Sequence, residues 1–228
     1  MVGIGKRIVH RKAVGMADLA GDDFANIFAE AIGGMSFRKP VGVADVAWNG
    51  CCWSIKTVSN QHPHRFMVGA GGGKRRRILR LISGRNSPVY SAGIDNPFAD
   101  LQATGNAVLA IYNERIEKAR RDHDDVRLLV FVRNMATQEF TIFERPIHPF
   151  VLNDYTWTTN DKGNFEAHCA GEHAFTWQPH GSQFTILESV PDSATRFKIR
   201  NRVSMLEMQH VLRLTRIRPE WIEVIDED

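Results

Sequence analysis

Apolar residues recur along this chain with two periods, and the changes from one to the other lay out much of a fold. Between Asp22 and Ile32, Phe24, Ile27, Phe28, Ala31 and Ile32 fall at i, i+3, i+4, i+7 and i+8. That spacing predicts an amphipathic helix, capped by Asp22 or Asp23 and stopped by Gly33-Gly34. After Pro40 the period drops to two. Val41 to Val58 reads as two strands joined by Asn49-Gly50, a pair that tolerates the positive φ angles of a two-residue type I′ turn. A two-residue loop sets Trp48 opposite Cys51 and Asp45 opposite Ser54, with Lys56 one same-face step further. Alternation then gives Ala44, Val46, Trp48, Cys51, Trp53 and Ile55 to an apolar core face, and Asp45, Ala47, Cys52, Ser54 and Lys56 to the other. On an isolated hairpin the Asp45 and Lys56 charges read equally well as a cross-strand pair on a wet face, worth a few tenths of ~1 kcal/mol.

Further along, Ile78–Ile82 predicts a third strand. A turn-rich loop covers 85–103, and a helix over about 107–121 carries a stripe of Val108, Ile111, Tyr112, Ile116 and Ala119, capped by Thr104 or Asn106. Val126–Val132 is an almost unbroken apolar run, as in a strand covered on both faces, and 138–144 predicts an antiparallel neighbour. Beyond Pro146, short strand-like runs with Tyr155, Trp157, Phe165, Phe175, Trp177, Phe184 and Ile186 alternate with turns at Asn160–Gly163 and Pro179–Ser182, and a last helix is expected over about 204–214. Residues 1–20 suggest an arm or a short helix. The division expected is an α/β core over 1–145 and a β-rich extension over 146–228, packed on the core.

Composition narrows the class without naming a function. The chain has 228 residues, 43% hydrophobic and 24% charged, ordinary for a globular protein. No apolar run reaches the ~18–20 residues that span a bilayer. Three cysteines without zinc-site spacing suggest free thiols and a cytoplasmic setting. Charge is more telling. The net value is only +3, yet Thr57 to Ile94 contains no Asp or Glu while holding Arg65, Lys74, Arg75, Arg76, Arg77, Arg80 and Arg85. A second basic stretch runs from Arg196 to Arg218. Two such patches on a nearly neutral chain point to a polyanion partner.

The predicted order of helix, strand, strand, strand, helix and strand, with Ala44-Asp45 on one arm of the hairpin and Ser54-Ile55-Lys56 on the other, resembles the PD-(D/E)XK nuclease superfamily, which includes most type II restriction endonucleases. The resemblance covers roughly residues 22–133. It implies a restriction-endonuclease-like αβββαβ core, a mixed central sheet flanked by helices. Asp45 matches the Asp of the Pro-Asp element, with Ala in place of Pro, and Lys56 matches the motif lysine. Ser54 stands where a second carboxylate is usual. Glu30, on the preceding helix, is the first candidate to replace it and Glu114 the second.

On this resemblance the expected activity is Mg²⁺-dependent, sequence-specific cleavage of double-stranded DNA by a bacterial homodimer, with Mn²⁺ able to substitute. The resemblance also implies DNA recognition, dimerisation or both for the extension over 146–228. Asp45, Glu30 and the Ile55 backbone carbonyl would hold the metal, Lys56 would orient or deprotonate the attacking water, and Ser54 would hold a metal-bound water. DNA contacts are expected from Arg65, Lys74, Arg75, Arg76, Arg77, Arg85 and Asn86, and from Gln178, His180 and Gln183 in the polar turn after Trp177. The missing motif carboxylate also fits a rival: a non-catalytic or repair-type nucleic-acid-binding protein of the same fold.

Overall fold

A computed structural model describes residues 1–63, 78–200 and 205–207. The chain begins with two helices, α1 (Val2–Ala13) and α2 (Gly21–Ile32). α2 starts one residue before the predicted span. Asp23 reaches back to accept the Ala20 N–H at 3.1 Å, and Gly33 closes the helix in the left-handed conformation. α1 is a full helix rather than an arm, with Ile4 and Ile8 buried against α2 and its surroundings.

The strands that follow are β1 (Met35–Val41), β2 (Ala44–Trp48), β3 (Cys51–Ser59) and β4 (Ile78–Arg85). The turn at Asn49-Gly50 forms with both residues at positive φ, and Val46, Ala47 and Trp48 pair with Trp53, Cys52 and Cys51, as the two-residue loop requires. β1 is an additional strand that local pattern did not reveal: its face alternates weakly and Pro40 lies within it. A short helix α3 (Pro88–Ala92) and the long α4 (Leu101–Arg120) lead to β5 (Asp125–Asn134) and β6 (Glu139–Pro146). α4 begins two turns earlier than predicted because Asp100, not Thr104 or Asn106, caps it, accepting the Ala103 N–H at 2.9 Å.

The remaining strands are β7 (Thr156–Thr159), β8 (Phe165–Cys169), β9 (Glu172–Gln178), β10 (Gln183–Ser189) and β11 (Thr195–Lys198). They complete an α/β fold with two sheets: a mixed six-stranded sheet in the order β1-β2-β3-β5-β6-β11, and an antiparallel five-stranded sheet in the order β4-β10-β9-β8-β7. Among the described residues only β3 and β5 pair in parallel, and α4 lies in the connection between them, as a parallel crossover requires. The strand at 78–82 therefore exists, but it pairs with β10 rather than extending the hairpin sheet. Conversely β11, from the C-terminal segment, closes the first sheet beside β6. One continuous cluster of buried residues joins α4, β5 and the inner faces of β8, β9 and β10. The region 204–214, where a final helix was expected, falls outside the described residues except for 205–207.

β3 is covered on both faces. Trp53 and Ile55 pack under α2 with Phe24 and Phe28, while Cys52 and Ser54 are buried on the α4 side. The face that read equally well as wet is thus half interior, with Cys52 and Ser54 buried and Asp45, Ala47 and Lys56 partly exposed. Trp48, expected in the core, is 48% exposed because it sits at the hairpin tip beyond the reach of α2.

Candidate active site

The hairpin strands stop pairing one residue before Asp45 and Ser54 meet. Their ladder is regular from Val46↔Trp53 to the turn, and on the other side of β2 the β1–β2 register is interrupted between Ser36 and Val41. Asp45 therefore lies where β2 has parted from both neighbours. The Ile55 N–H donates to Asp45 Oδ2 at 2.6 Å, so the carboxylate replaces a missing ladder partner and is fixed in direction by it. Ile55, expected to lend a carbonyl to a metal, meets Asp45 through its N–H.

A cavity of about 230 Å³ opens beside this point, lined by Asp45, Ser54 and Lys56 from the hairpin, Ser83 and Gly84 from β4, and Tyr112 and Arg115 from α4. The sequence thus brings Asp45, Ser54 and Lys56 together as the hairpin register predicted. It gave no sign of Arg115, and Tyr112 read only as part of the buried stripe of its helix. Arg115 donates to the Arg85 carbonyl at 2.7 Å, which holds its guanidinium over the end of β4. Gly42 makes that approach possible: it is at φ +65°, and a Cβ there would run into the Arg115 carbonyl of α4.

Electrostatics set this cavity apart. Burial raises the Asp45 carboxyl above its ordinary value, against the opposing pull of Lys56 and the Ile55 N–H, and the nearby Asp22 charge raises it further. Burial lowers the Lys56 ammonium; Asp45 partly restores it and Arg115 opposes it. The two charges influence each other without closing into a contact ion pair. Tyr112 is buried with its hydroxyl lacking a well-formed partner, and its pKa is pushed up to about 12. Cys52 is likewise raised to about 12 by burial, so its thiol is a packing group and not a nucleophile.

Asp45 also borders a second cavity, of about 200 Å³, with Asp22, Asn26, Ser36 and Arg38. The acid that α2 presents to the site is therefore Asp22, in its first turn. Glu30, in the last turn, faces α1 instead: its carboxylate pairs with Arg7 at 3.3 Å and Arg11 at 3.0 Å. Glu114 is exposed on α4 and lines none of these cavities. A third opening, about 350 Å³, lies between β3 and β4 and shares Lys56, with Arg80 on its β4 side.

The oxygen donors of the two cavities that share Asp45 include the Asp45 and Asp22 carboxylates and the Ser54 hydroxyl, which suit a hard cation that keeps several waters. Burial is the main cause of the raised Asp45 carboxyl, and a cation bound beside it would favour the ionised form.

The expected DNA-contact residues divide. Arg85, Gln183 and Gln178 lie in one row across β4, β10 and β9, with Arg85 and His180 exposed. Asn86 does not belong to a surface. It is fully buried, its side-chain Nδ2 donating to the Val108 carbonyl at 2.9 Å while its backbone carbonyl accepts the Trp177 indole N–H at 2.8 Å; it ties α4 to the second sheet. Arg65, Lys74, Arg75, Arg76 and Arg77 lie outside the described residues.

No family model matches the chain, and no curated protein or solved structure matches it either. No helix among the described residues is long and apolar enough to cross a membrane.

Proposed function

We propose that this protein is a Mg²⁺-dependent DNA endonuclease of the PD-(D/E)XK type, acting on specific double-stranded sites. The observation that carries the reading is the cavity at the parted end of the hairpin, where Asp45, Ser54 and Lys56 converge with Arg115 in a desolvated setting. With β4, which joins the second sheet, and the short α3 set aside, the order α2, β1, β2, β3, α4, β5, with β5 parallel to β3, supports it by following the αβββαβ plan that the resemblance implies.

In this reading Asp45 and Asp22 would hold the cation, with the Ser54 hydroxyl fixing one of its waters. Bound Mg²⁺ would supply charge for the scissile phosphate and a more acidic water. Lys56, its ammonium destabilised by burial, exchanges a proton more readily than a surface lysine and can orient or deprotonate that water. Arg115 remains a cation and offers its N–H groups to a phosphate oxygen. The openings that share Asp45 and Lys56 carry Arg38 and Arg80, placed to follow a nucleic-acid backbone past the site. Arg85, Gln183 and Gln178 form the edge from which bases would be read, and a homodimer would match a palindromic site.

Incubating the chain with unmethylated plasmid and Mg²⁺, beside Asp45→Ala and Lys56→Ala, tests this. Discrete fragments that disappear in both variants are expected. Nicking or smearing would move the assignment to a structure-specific nuclease. The buried Ser54 in place of a carboxylate favours one rival, a non-catalytic DNA-binding protein; salt-sensitive binding without cleavage in either Mg²⁺ or Mn²⁺ would establish that rival and end the enzymatic reading.

A further inference from the structure

In the second sheet, and so on other strands than the β2 that carries Asp45, β8 and β9 bring three side chains of a different chemistry together. The ligand atoms of Glu166, His168 and His173 all lie within 4.8 Å of one another, and each residue is partly buried. Glu166 and His168 are two apart on β8, hence on one face. His173 pairs across from His168, where the β8–β9 register shifts by a bulge. The two imidazoles stack at 5.0 Å between centroids.

The surroundings of these groups fix which atoms are free. His173 Nε2 lies 2.8 Å from the Phe175 carbonyl. A carbonyl only accepts, so Nε2 carries the proton and Nδ1 keeps its lone pair. Asn160 is held by its turn, its Oδ1 accepting the N–H groups of Lys162 at 3.0 Å and Asn164 at 3.1 Å. Its Nδ2 is thereby aimed at Glu166 Oε1, at 2.7 Å, and leaves Oε2 available. A histidine whose second nitrogen donates to a backbone carbonyl, and a carboxylate oriented by an outer hydrogen bond, are the supports that metal ligands characteristically have. Placement on paired strands rather than loops makes the set rigid.

We propose that Glu166, His168 and His173 bind one first-row transition-metal dication, with Zn²⁺ as the best match to two imidazoles and a carboxylate. The fourth position is left to water or to another ligand. Such an ion clips the bulged β8–β9 hairpin together. It is chemically distinct from the oxygen-donor site at Asp45, and it stands whether or not the chain is a nuclease.

The untagged full chain, stripped with chelator, is titrated with Zn²⁺ against a chromophoric competitor, and its thermal unfolding is followed in parallel. One tight equivalent and a raised Tm are expected. Both should be lost in His168→Ala and in His173→Ala and kept in Asp45→Asn and Cys169→Ser. Asn160→Ala and Glu166→Gln leave both imidazoles in place and should weaken binding, the former by roughly 10–100-fold. Absence of a tight equivalent overturns the proposal. So does an affinity unchanged in Asn160→Ala, Glu166→Gln and whichever histidine variants fold, or one that is lost only in Cys169→Ser.

Discussion

The two faces of one strand, β3, are built on opposite principles. Toward α2, Trp53 and Ile55 enter a dry aromatic cluster in which Phe28 meets Trp53 edge-on at 5.2 Å. In the same cluster Phe24 stacks on Phe131 at 3.8 Å, and Phe131 on Phe140 at 5.5 Å. Toward α4, Ser54 and Lys56 face a cavity that holds a carboxylate, an ammonium, a guanidinium and a phenol. The first face is shut off from water, and the second is partly so, with Ser54 and Tyr112 buried and Asp45, Lys56 and Arg115 half-buried. The first gains from that shielding, about 1.5–3 kcal/mol for each large side chain buried; the second loses, because every charge in it is less well solvated than outside. Under the proposed function the charges of the second face serve a ligand, and the contrast then separates the part of β3 that builds the protein from the part that would act.

The widest separation should come from Lys56→Met, which keeps the stem and removes the charge. Burial, more than attraction to Asp45, dominates the ionisation of Lys56, so thermal stability should hold or rise. Cleavage should fall by ~10²–10⁴-fold, the range for a lost proton-transfer group. A loss of activity matched by a loss of folding would erase the contrast. Phe24→Ala should do the reverse. Removing a fully buried ring that stacks on Phe131 should cost ~3–5 kcal/mol in denaturant unfolding. At temperatures where that variant is still folded, its metal dependence should match that of the unaltered chain.

A smaller effect follows from the Asp45 carboxyl. Its native value lies above the ordinary 3.8, so over the interval between the two the folded state binds more protons than the unfolded state. Its contribution to stability is then full below pH 3.8 and is lost as pH rises through the native value. Without Mg²⁺, Asp45→Asn should remove that loss. With Mg²⁺, the unaltered chain should recover stability on the alkaline side of the interval, because the cation binds the ionised, folded form, while Asp45→Asn should not respond. Melting curves across pH with and without Mg²⁺ decide this.

How much of the site could be read from sequence follows from what lies close along the chain. The Asn49-Gly50 turn fixes the hairpin register, and the register alone places Asp45, Ser54 and Lys56 on one face. The near-continuous run at Val126–Val132 correctly marks a strand covered on both sides, since β5 lies between the α2 and α4 clusters. What could not be read depends on partners distant in sequence. β4 alternates cleanly, but alternation does not say that it will pair with β10, about a hundred residues later. Arg115 and Tyr112 belong to the site only because Gly42 lets α4 close on the β1–β2 turn. Asn86 looked like a loop residue with a free amide until Val108 and Trp177 claimed it.

Glu30 is the most instructive of these cases, and it gives the finest test. Both Asp22 and Glu30 lie on α2, and helical phase alone does not rank them. What decides is α1, whose Arg7 and Arg11 draw Glu30 away, while the first turn of α2 borders Asp45. Exposed pairs of that kind contribute about 0.2–1 kcal/mol, so Glu30→Gln should lower stability slightly and leave the Mg²⁺ dependence of cleavage unchanged. Asp22→Asn should leave stability nearly unchanged and raise the Mg²⁺ concentration for half-maximal cleavage roughly tenfold, about 1.4 kcal/mol. A pair of Mg²⁺ titrations at constant ionic strength reads the difference directly. If Glu30→Gln shifts the midpoint and Asp22→Asn does not, the last turn of α2 supplies the second acid, and the geometry around Asp45 must change when DNA binds.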